Sequence, residues 1–434
     1  MKKLVFLFTV FSLLTSGIFA QGEIKSITLD DAMKLALENN VSIKREEISL
    51  GAAARASSHS WNSLLPSLTA SANDELSLPD FAGKGDGRRD SVQHNFGVEG
   101  KATISISADF FASIKKAKLD YEAKKISFDE AVLEITSQVK ESYFSLILAK
   151  QNLDFLQENL ENARTQAQQN EERYRRGTLS ELECLSSKVS YEKLKPELKA
   201  RKLTFKKDMK NFCLFLGLDA DELILEGSLE DFIARYAVSF NDEKKNAVAD
   251  SVKNGTVPSI LNLKKKIEAA QKGLSVARLS SYGPSTNLSY SVNPVFSGTD
   301  KGRIKQSASI GISIPLENLF PFSKGADTIK AAQDSVKDLQ LQLDEKTKSV
   351  NSDYYFIIQS LAQKEESIAS HKDFVSLAQS NYESAKIAYS KGMTEYLSLQ
   401  NASKENLEAK LNLQNDYLDN LKLYISLEKL CGGI

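Results

Sequence analysis

The sequence predicts a mainly α-helical protein with a smaller β portion, and three observations support this fold class. Long stretches repeat apolar residues at steps of three and four, which is the spacing of coiled-coil helices. Four shorter stretches alternate apolar and polar residues, which is the spacing of β-strands. The same order of segments occurs twice along the 434-residue chain. We therefore expect long antiparallel coiled-coil helices and four strands in each chain.

The duplication sets the predicted organisation. Residues 139–144 (VKESYF) resemble residues 350–355 (VNSDYY), and RYRRG at 173–177 resembles AYSKG at 388–392. The predicted units are a signal peptide at 1–20, a first repeat at 21–230 and a second repeat at 231–434.

Each repeat is expected to contain strands followed by two long helices. In the first repeat a short helix precedes strands at about 65–78 and 94–108, then long helices at about 112–176 and 179–217. In the second repeat a helix at about 256–282 precedes strands at about 285–296 and 304–316, then long helices at about 326–391 and 394–430. Gly177 and Gly392 end the first long helix of each pair, where glycine suits the turn.

The predicted strands have one apolar side and one side rich in Ser, Thr and Asn. Alternation alone also fits a soluble sheet with one wet face. Strand lengths of about 9 to 13 residues, aromatic residues near the strand ends and polar, Gly-rich turns favour membrane-spanning strands. The residues expected to face lipid are Val98, Ile104, Ile106, Leu288, Tyr290, Ile310, Ile312 and Ile314. The aromatic residues near the ends are Trp61, Phe81, Phe96, Phe110, Phe111, Tyr282, Phe296, Phe320 and Phe322.

Four strands cannot close a membrane barrel by themselves. An open sheet edge leaves backbone N–H and C=O groups unpaired in lipid, where no water can satisfy them. Other chains must therefore complete the sheet if these strands span a membrane. Three chains would supply twelve strands, although this hydrogen-bond argument leaves the number of subunits open.

The first twenty residues predict export. A basic start, an apolar run over residues 4–14 and small residues before Ala20 describe a secretory signal peptide, with cleavage expected near Ala20. The alternative is an uncleaved anchor, but the apolar run is shorter than the ~20 residues that span a bilayer.

Composition argues against several functions. Fifty-six Lys and Arg against 57 Asp and Glu leave a formal charge of −1, which does not suit a nucleic-acid-binding protein. The three cysteines and three histidines are scattered and give no metal-ligand spacing. No nucleophile, base and oxyanion arrangement is recognisable, so we expect no enzyme, no cofactor and no metal site.

In combination, the motifs resemble those of the TolC-like outer membrane efflux family. Residues 27–40 (ITLDDAMKLALENN) are similar to the family's opening motif, and LLPSL at 64–68 and ISIPL at 312–316 flank the strands. YRRG at 174–177 and YSKG at 389–392 are similar to its Tyr-x-x-Gly signature. The resemblance covers nearly the whole mature chain and implies a homotrimer with a twelve-stranded barrel in the outer membrane and a helical tunnel across the periplasm.

The resemblance also implies a functional end of the tunnel at the two Gly turns. Candidates for a periplasmic entrance or gate are Tyr389, Gly392, Tyr174, Gly177 and Glu183. Candidates for docking a periplasmic adaptor are Arg173, Arg175, Arg176 and Lys391. In the second repeat Ser398 and Asn401 stand where carboxylates would make an acidic constriction, so we expect no strong one there.

The sequence therefore predicts an outer membrane exit duct that extends into the periplasm. It would serve a tripartite efflux pump or type I secretion system, with an adaptor and an inner-membrane pump as partners and the pump supplying the energy. The alternative is a periplasmic coiled-coil adaptor or spacer, which shares the export signal and heptads but needs no lipid-facing strands. The sequence does not indicate the cargo.

Overall fold

We analysed a computed structural model of the chain, which describes residues 26–77, 93–219, 223–294 and 302–432. The predicted signal peptide, Phe81 and Phe296 lie outside these ranges. The α-helices are α1 (Leu29–Asn39), α2 (Val41–Ser58), α3 (Phe110–Arg175), α4 (Glu181–Phe215), α5 (Leu229–Ser239), α6 (Asp242–Asn254), α7 (Pro258–Tyr282), α8 (Lys324–Ser390) and α9 (Tyr396–Cys431). The strands are β1 (Ser67–Ser77), β2 (Gln93–Ser107), β3 (Ser285–Pro294) and β4 (Ile304–Ser313). Short 3-10 helices at Ser60–Leu64 and Leu316–Leu319 flank the strands.

The chain forms two compact units that each combine segments from both halves of the sequence. Among the described residues, the first unit contains 26–41, 134–219, 223–246 and 356–429, and the second contains 42–77, 93–133, 247–294, 302–355 and 430–432. The two sequence repeats are therefore not two compact units, and their boundary at 230 stays a prediction. None of the helices within the described ranges combines the length and the hydropathy that a membrane-spanning helix requires.

The second unit contains the sheet, in which the four strands pair in chain order. Every neighbouring pair is antiparallel. Because side chains alternate between the two faces of a strand, the register decides whether the apolar sides coincide. Ile104 lies opposite Leu288, and Leu288 lies opposite Ile310. Leu68 lies opposite Ala102, which in turn lies opposite Tyr290. The apolar sides of all four strands therefore form one face.

The opposite face of this sheet is lined with hydroxyl groups. Three serine pairs join β3 to β4 at O–O distances of 2.7–2.8 Å. The pairs are Ser285 with Ser313, Ser289 with Ser309, and Ser291 with Ser307. A hydroxyl can donate and accept at once, so each pair satisfies itself while its face stays able to bind water.

The first unit is a helical bundle that closes around an aromatic core. Tyr143 of α3 is fully buried, with its ring near Phe144, Phe212 and Phe232. Its hydroxyl lies 2.9 Å from the carbonyl oxygen of Ile27 and 2.8 Å from that of Glu226. The same hydroxyl accepts the backbone N–H of Glu226 at 2.9 Å. One side chain thus anchors both the segment before α1 and the segment before α5.

The observed elements differ from the expected ones in three places. Two helices, α1 and α2, precede β1, where one short helix was expected. The helices α5 and α6 occupy a region for which the sequence pattern gave no element, since they are short and lack the heptad repeat. The fourth strand was expected to reach about residue 316, but β4 ends at Ser313. Ile314 therefore belongs to the connection after β4, and its assignment as a strand residue is corrected. Pro315 limits the backbone of the residue before it and lacks an N–H for the ladder.

Candidate functional site

The two Gly turns of the first unit have the same backbone geometry. Gly177 has a φ of 71° and Gly392 a φ of 72°, in the left-handed region that side chains disfavour. The N–H of Gly177 donates to the Tyr174 carbonyl, and the N–H of Gly392 donates to the Tyr389 carbonyl. In each turn the next residue donates to a carbonyl five residues back, which closes a Schellman-type cap. The short sequence similarity between the repeats thus corresponds to the same turn.

Around the second turn lies a cluster of side chains that we call the Tyr389 cluster. It consists of Asn170, Arg173, Glu183, Tyr389 and Tyr396. Tyr389 is 3% exposed, and its ring lies 5.9 Å from that of Tyr396 in an edge-to-face arrangement. This geometry suits the aromatic quadrupoles, so the two rings fix the start of α9 against the end of α8.

Asn170 provides the polar centre of the Tyr389 cluster. It is fully buried, and its Oδ1 accepts the Tyr389 hydroxyl at 2.9 Å and the Gln166 side-chain amide at 3.0 Å. Its Nδ2 has no hydrogen-bond partner in the described part of the chain. A buried polar pair of this kind holds α3 to α8 with a defined register.

The charged members of the Tyr389 cluster pack against its tyrosines. The Arg173 guanidinium lies 5.2 Å from the Tyr389 ring centroid, a cation–π distance, and its Nη1 is 3.5 Å from the Tyr389 carbonyl oxygen. Glu183 accepts the Tyr396 N–H at 3.4 Å, a long hydrogen bond. Burial, then the nearby Glu183 carboxylate, raises the pKa of Tyr389. The Tyr389 hydroxyl therefore stays protonated, and able to donate to Asn170, at neutral pH.

The predicted gate and docking residues differ in burial and in their contacts. Tyr389, Gly392, Gly177 and Glu183 lie at or beside the Tyr389 cluster, whereas Tyr174 is 42% exposed. Among the docking candidates, Arg173 is engaged by Tyr389, while Arg175, Arg176 and Lys391 are exposed. Arg175 pairs with Glu171 at 2.8 Å and Arg176 with Glu172 at 3.1 Å, each within α3.

Seven of the eight predicted lipid-facing residues lie on one face of the sheet, and Ile314 lies beyond the end of β4. Ile310 is 74% exposed and Ile312 is 71% exposed, while Leu288, Tyr290 and Ile106 are about half exposed. Val98 and Ile104, nearer the middle of the sheet, are partly covered by their neighbours. An exposed apolar face of this kind is typical of a surface that contacts lipid or another chain.

Sequence reasoning missed the charged centre between α8 and α9. Asp416, 7% exposed, accepts hydrogen bonds from Lys364 at 2.8 Å and Ser367 at 2.7 Å, and its Oδ2 lies 2.5 Å from His371 Nδ1. Lys364 also reaches Asp419 at 3.0 Å. Lys364 and His371 are polar residues on the apolar heptad stripe of α8, and Asp416 lies 52 and 45 residues further along the chain, so the sequence pattern does not indicate their contact. Asn170 was missed in the same way, as a polar residue on the stripe of α3.

The sequence was compared with models of known protein families and with curated protein sequences. Residues 32–202 match the family model for the outer membrane efflux protein, which confirms the resemblance to the TolC-like outer membrane efflux family. No curated protein sequence matches the chain.

Solved structures match over almost the whole chain. The outer membrane channel CmeC of Campylobacter jejuni has a TM-score of 0.75 at 17% identity, covering 93% of this chain and 85% of that one. The outer membrane protein VceC of Vibrio cholerae has a TM-score of 0.74 at 16% identity, covering 93% and 96%. CusC, described as forming a transmembrane channel, has a TM-score of 0.75 at 14% identity, covering 94% and 92%. At these identities the likeness shows the fold, which is that of the outer membrane channels.

Proposed function

We propose that this protein is the outer membrane exit duct of a tripartite efflux pump or type I secretion system. The observation that carries the proposal is the four-stranded sheet, with an exposed apolar face on one side and a hydroxyl-lined face on the other. An apolar outside and a polar inside are what a strand needs when it separates lipid from water.

The edges of the sheet supply the argument for an oligomer. Within the described residues, β1 and β4 each pair on one side only, so both outer edges offer unpaired backbone groups. Such edges are not tolerated in hydrocarbon, and pairing β4 of one chain with β1 of the next would satisfy them. Three chains give twelve strands, an even number within the range of known barrels. A homotrimer in outer membrane lipid follows as our proposal.

The helical part suits a passage through the periplasm. The Tyr389 cluster ties α3, α4, α8 and α9 together at the two Gly turns, which supports a role for that end as the entrance and its gate. The exposed Arg175, Arg176 and Lys391 at these turns are candidates for contact with a periplasmic adaptor. Transport through the duct would be passive, with energy from an inner-membrane pump.

Cell fractionation tests this proposal against its rival, a periplasmic adaptor or spacer. We expect the mature protein, after cleavage near Ala20, to remain with outer membranes after a high-salt wash, because the apolar sheet face is held by lipid and not by charge. Native mass spectrometry of the detergent-extracted protein should then give three copies. Release into the soluble fraction by salt would contradict the proposal and favour the rival.

A further inference from the structure

A cavity of about 740 Å³ lies beside the connection from β4 to α8, in the second unit. Its lining includes Ser280 at the end of α7, Glu317 and Phe320 in the connection, Phe322, and Lys324 at the start of α8. The connection that lines the cavity begins directly after β4, which ends at Ser313, four residues before Glu317.

Two phenylalanines of this cavity are unusually exposed. Phe320 is 65% exposed and Phe322 is 88% exposed. Along the chain they follow Ile312 on β4, Leu316 and Leu319, which are also more than half exposed. Burying two aromatic rings is strongly favourable, so a pair left this open in one chain points to an apolar partner.

Asn318 holds this connection in place. Its side-chain amide donates to the Ser281 carbonyl at 2.7 Å, and its Oδ1 accepts the Gly325 N–H at 3.2 Å. Its backbone carbonyl accepts the Ser323 hydroxyl at 3.2 Å. A Cβ on Gly325 would come within 2.5 Å of the Asn318 side chain, so glycine is required for this approach. The two phenylalanines therefore stand on a fixed support, and their exposure is not the result of a loose loop.

The cavity also carries one charge of each sign. Glu317 and Lys324 both line it, and neither forms an ion pair within the described chain. The first backbone N–H groups of α8 are already capped by Asn318 and Ser323. The side chains of Glu317 and Lys324 are therefore the charged groups that a ligand in the cavity could contact. An acid and a base beside two exposed aromatic rings match the ammonium, the phosphate and the acyl chains of a zwitterionic phospholipid.

We propose that this cavity binds the headgroup of a zwitterionic phospholipid at the rim of the sheet. Lys324 would contact the phosphate, Glu317 the ammonium, and Phe320 and Phe322 the first part of the acyl chains. The inference rests on the proposed membrane function and adds to it a defined lipid-binding site. The occupant is a lipid rather than a soluble phosphate ester, because two exposed aromatic rings line the site and its connection follows directly from β4, whose apolar face is proposed to meet lipid.

Native mass spectrometry of the delipidated full-length protein, titrated with phosphatidylethanolamine, tests the site. We expect Glu317→Gln and Lys324→Gln each to weaken binding about threefold, as for an exposed ion pair, and the double variant to weaken it further. Matched controls are Glu345→Gln and Lys330→Gln, which change exposed charges of α8 outside the cavity. Soluble glycerophosphoethanolamine should bind far more weakly than the lipid. Equal lipid binding by wild type and double variant, or equal binding of the soluble headgroup and the lipid, would overturn the proposal.

A fluorescence measurement separates this inference from the channel proposal. In a Trp61→Phe background the protein contains no other tryptophan, so Phe322→Trp reports on its own position. Lipids brominated near the headgroup should quench this tryptophan more than lipids brominated near the chain end. If the protein conducts ions in bilayers but no brominated lipid quenches the tryptophan, the lipid site is wrong while the channel proposal stands.

Discussion

At the scale of single residues, the buried polar contacts of the first unit decide how its helices are held. Tyr389 and Asn170 join α8 to α3, and Asp416 joins α9 to α8 through Lys364, Ser367 and His371. Leaving one buried partner without its bond costs more than the bond itself contributes. Removing a single atom from these contacts should therefore have measurable effects.

The Tyr389 hydroxyl is the first such atom. Tyr389→Phe keeps the ring on Arg173 and Tyr396 but removes the donor to Asn170, at a cost of about 1 kcal/mol. If this contact holds the entrance closed, the open fraction in planar bilayers should rise about fivefold per chain. Tyr174→Phe, which removes an exposed hydroxyl at the matching position of the first repeat, is the control. Equal currents through both variants would show that the Tyr389 contact has no gating role.

Asp416 predicts a loss of stability in acid. Burial opposes ionisation of this carboxyl, but hydrogen bonds from Lys364, Ser367 and His371 outweigh it and lower its pKa. A carboxyl with a lowered folded pKa stabilises the protein above its unfolded value of about 3.9, and this stabilisation is lost as the pH falls through the folded pKa. The midpoint temperature of thermal unfolding of the wild type should therefore fall steeply below pH 4. Asp416→Asn should be less stable at pH 7 and show a shallower fall, and parallel curves would contradict the assignment.

At the scale of elements, the two Gly turns and the two faces of the sheet are the features that the sequence pattern predicts most directly. Alternation in the sequence was enough to predict which strand residues share a face, because the period of a strand is two and the register aligned all four patterns. The pattern did not predict the end of β4 correctly, because the alternation continues through Ile314 and is interrupted only at Pro315. Nor could it reveal the pairing of Tyr389 with Asn170, which are 219 residues apart in the sequence.

The Gly turns allow a test of the positive φ angles. An added Cβ meets no atom within 4 Å at Gly177 or Gly392, so the backbone conformation is the whole cost of substitution. Gly177→Ala and Gly392→Ala should each lower the free energy of unfolding by about 1 kcal/mol. Gly51→Ala, inside α2, should instead raise it by up to about 1 kcal/mol. Chemical denaturation measures all three, and a stabilising effect at either turn would contradict the geometry.

Two adjacent residues of β4 test the faces of the sheet. Ile310 lies on the apolar face and is 74% exposed, whereas the Ser309 hydroxyl on the other face bonds Ser289 at 2.7 Å. Ile310→Asp should hinder assembly in lipid, by up to about 2 kcal/mol per chain, because its carboxylate would face hydrocarbon. Ser309→Asp should be tolerated, since its carboxylate would face water and accept from Ser289. The folded fraction in vesicles distinguishes the two, and similar losses would mean that the faces are assigned wrongly.

At the scale of the whole molecule, the balance of charge and apolar surface takes on a different meaning. A formal charge of −1 and 41% apolar residues would suit an ordinary soluble protein. The structure places part of the apolar surface on an exposed face of the sheet and on the segment after β4, which the proposed function covers with lipid and further copies of the chain. In the proposed duct this surface does not indicate the cargo, because a hydroxyl-lined passage would discriminate little between solutes.

Ion conduction by the purified protein in planar lipid bilayers tests the central claim most directly. We expect discrete, stable conductance steps from the oligomeric protein, since a closed barrel with a hydroxyl-lined interior must pass hydrated ions when its entrance opens. Tyr389→Phe should make these conductance steps more frequent. This variant therefore allows conduction to be tested even if the wild-type channel is mostly closed. A folded, membrane-inserted protein that conducts in neither form would contradict the account.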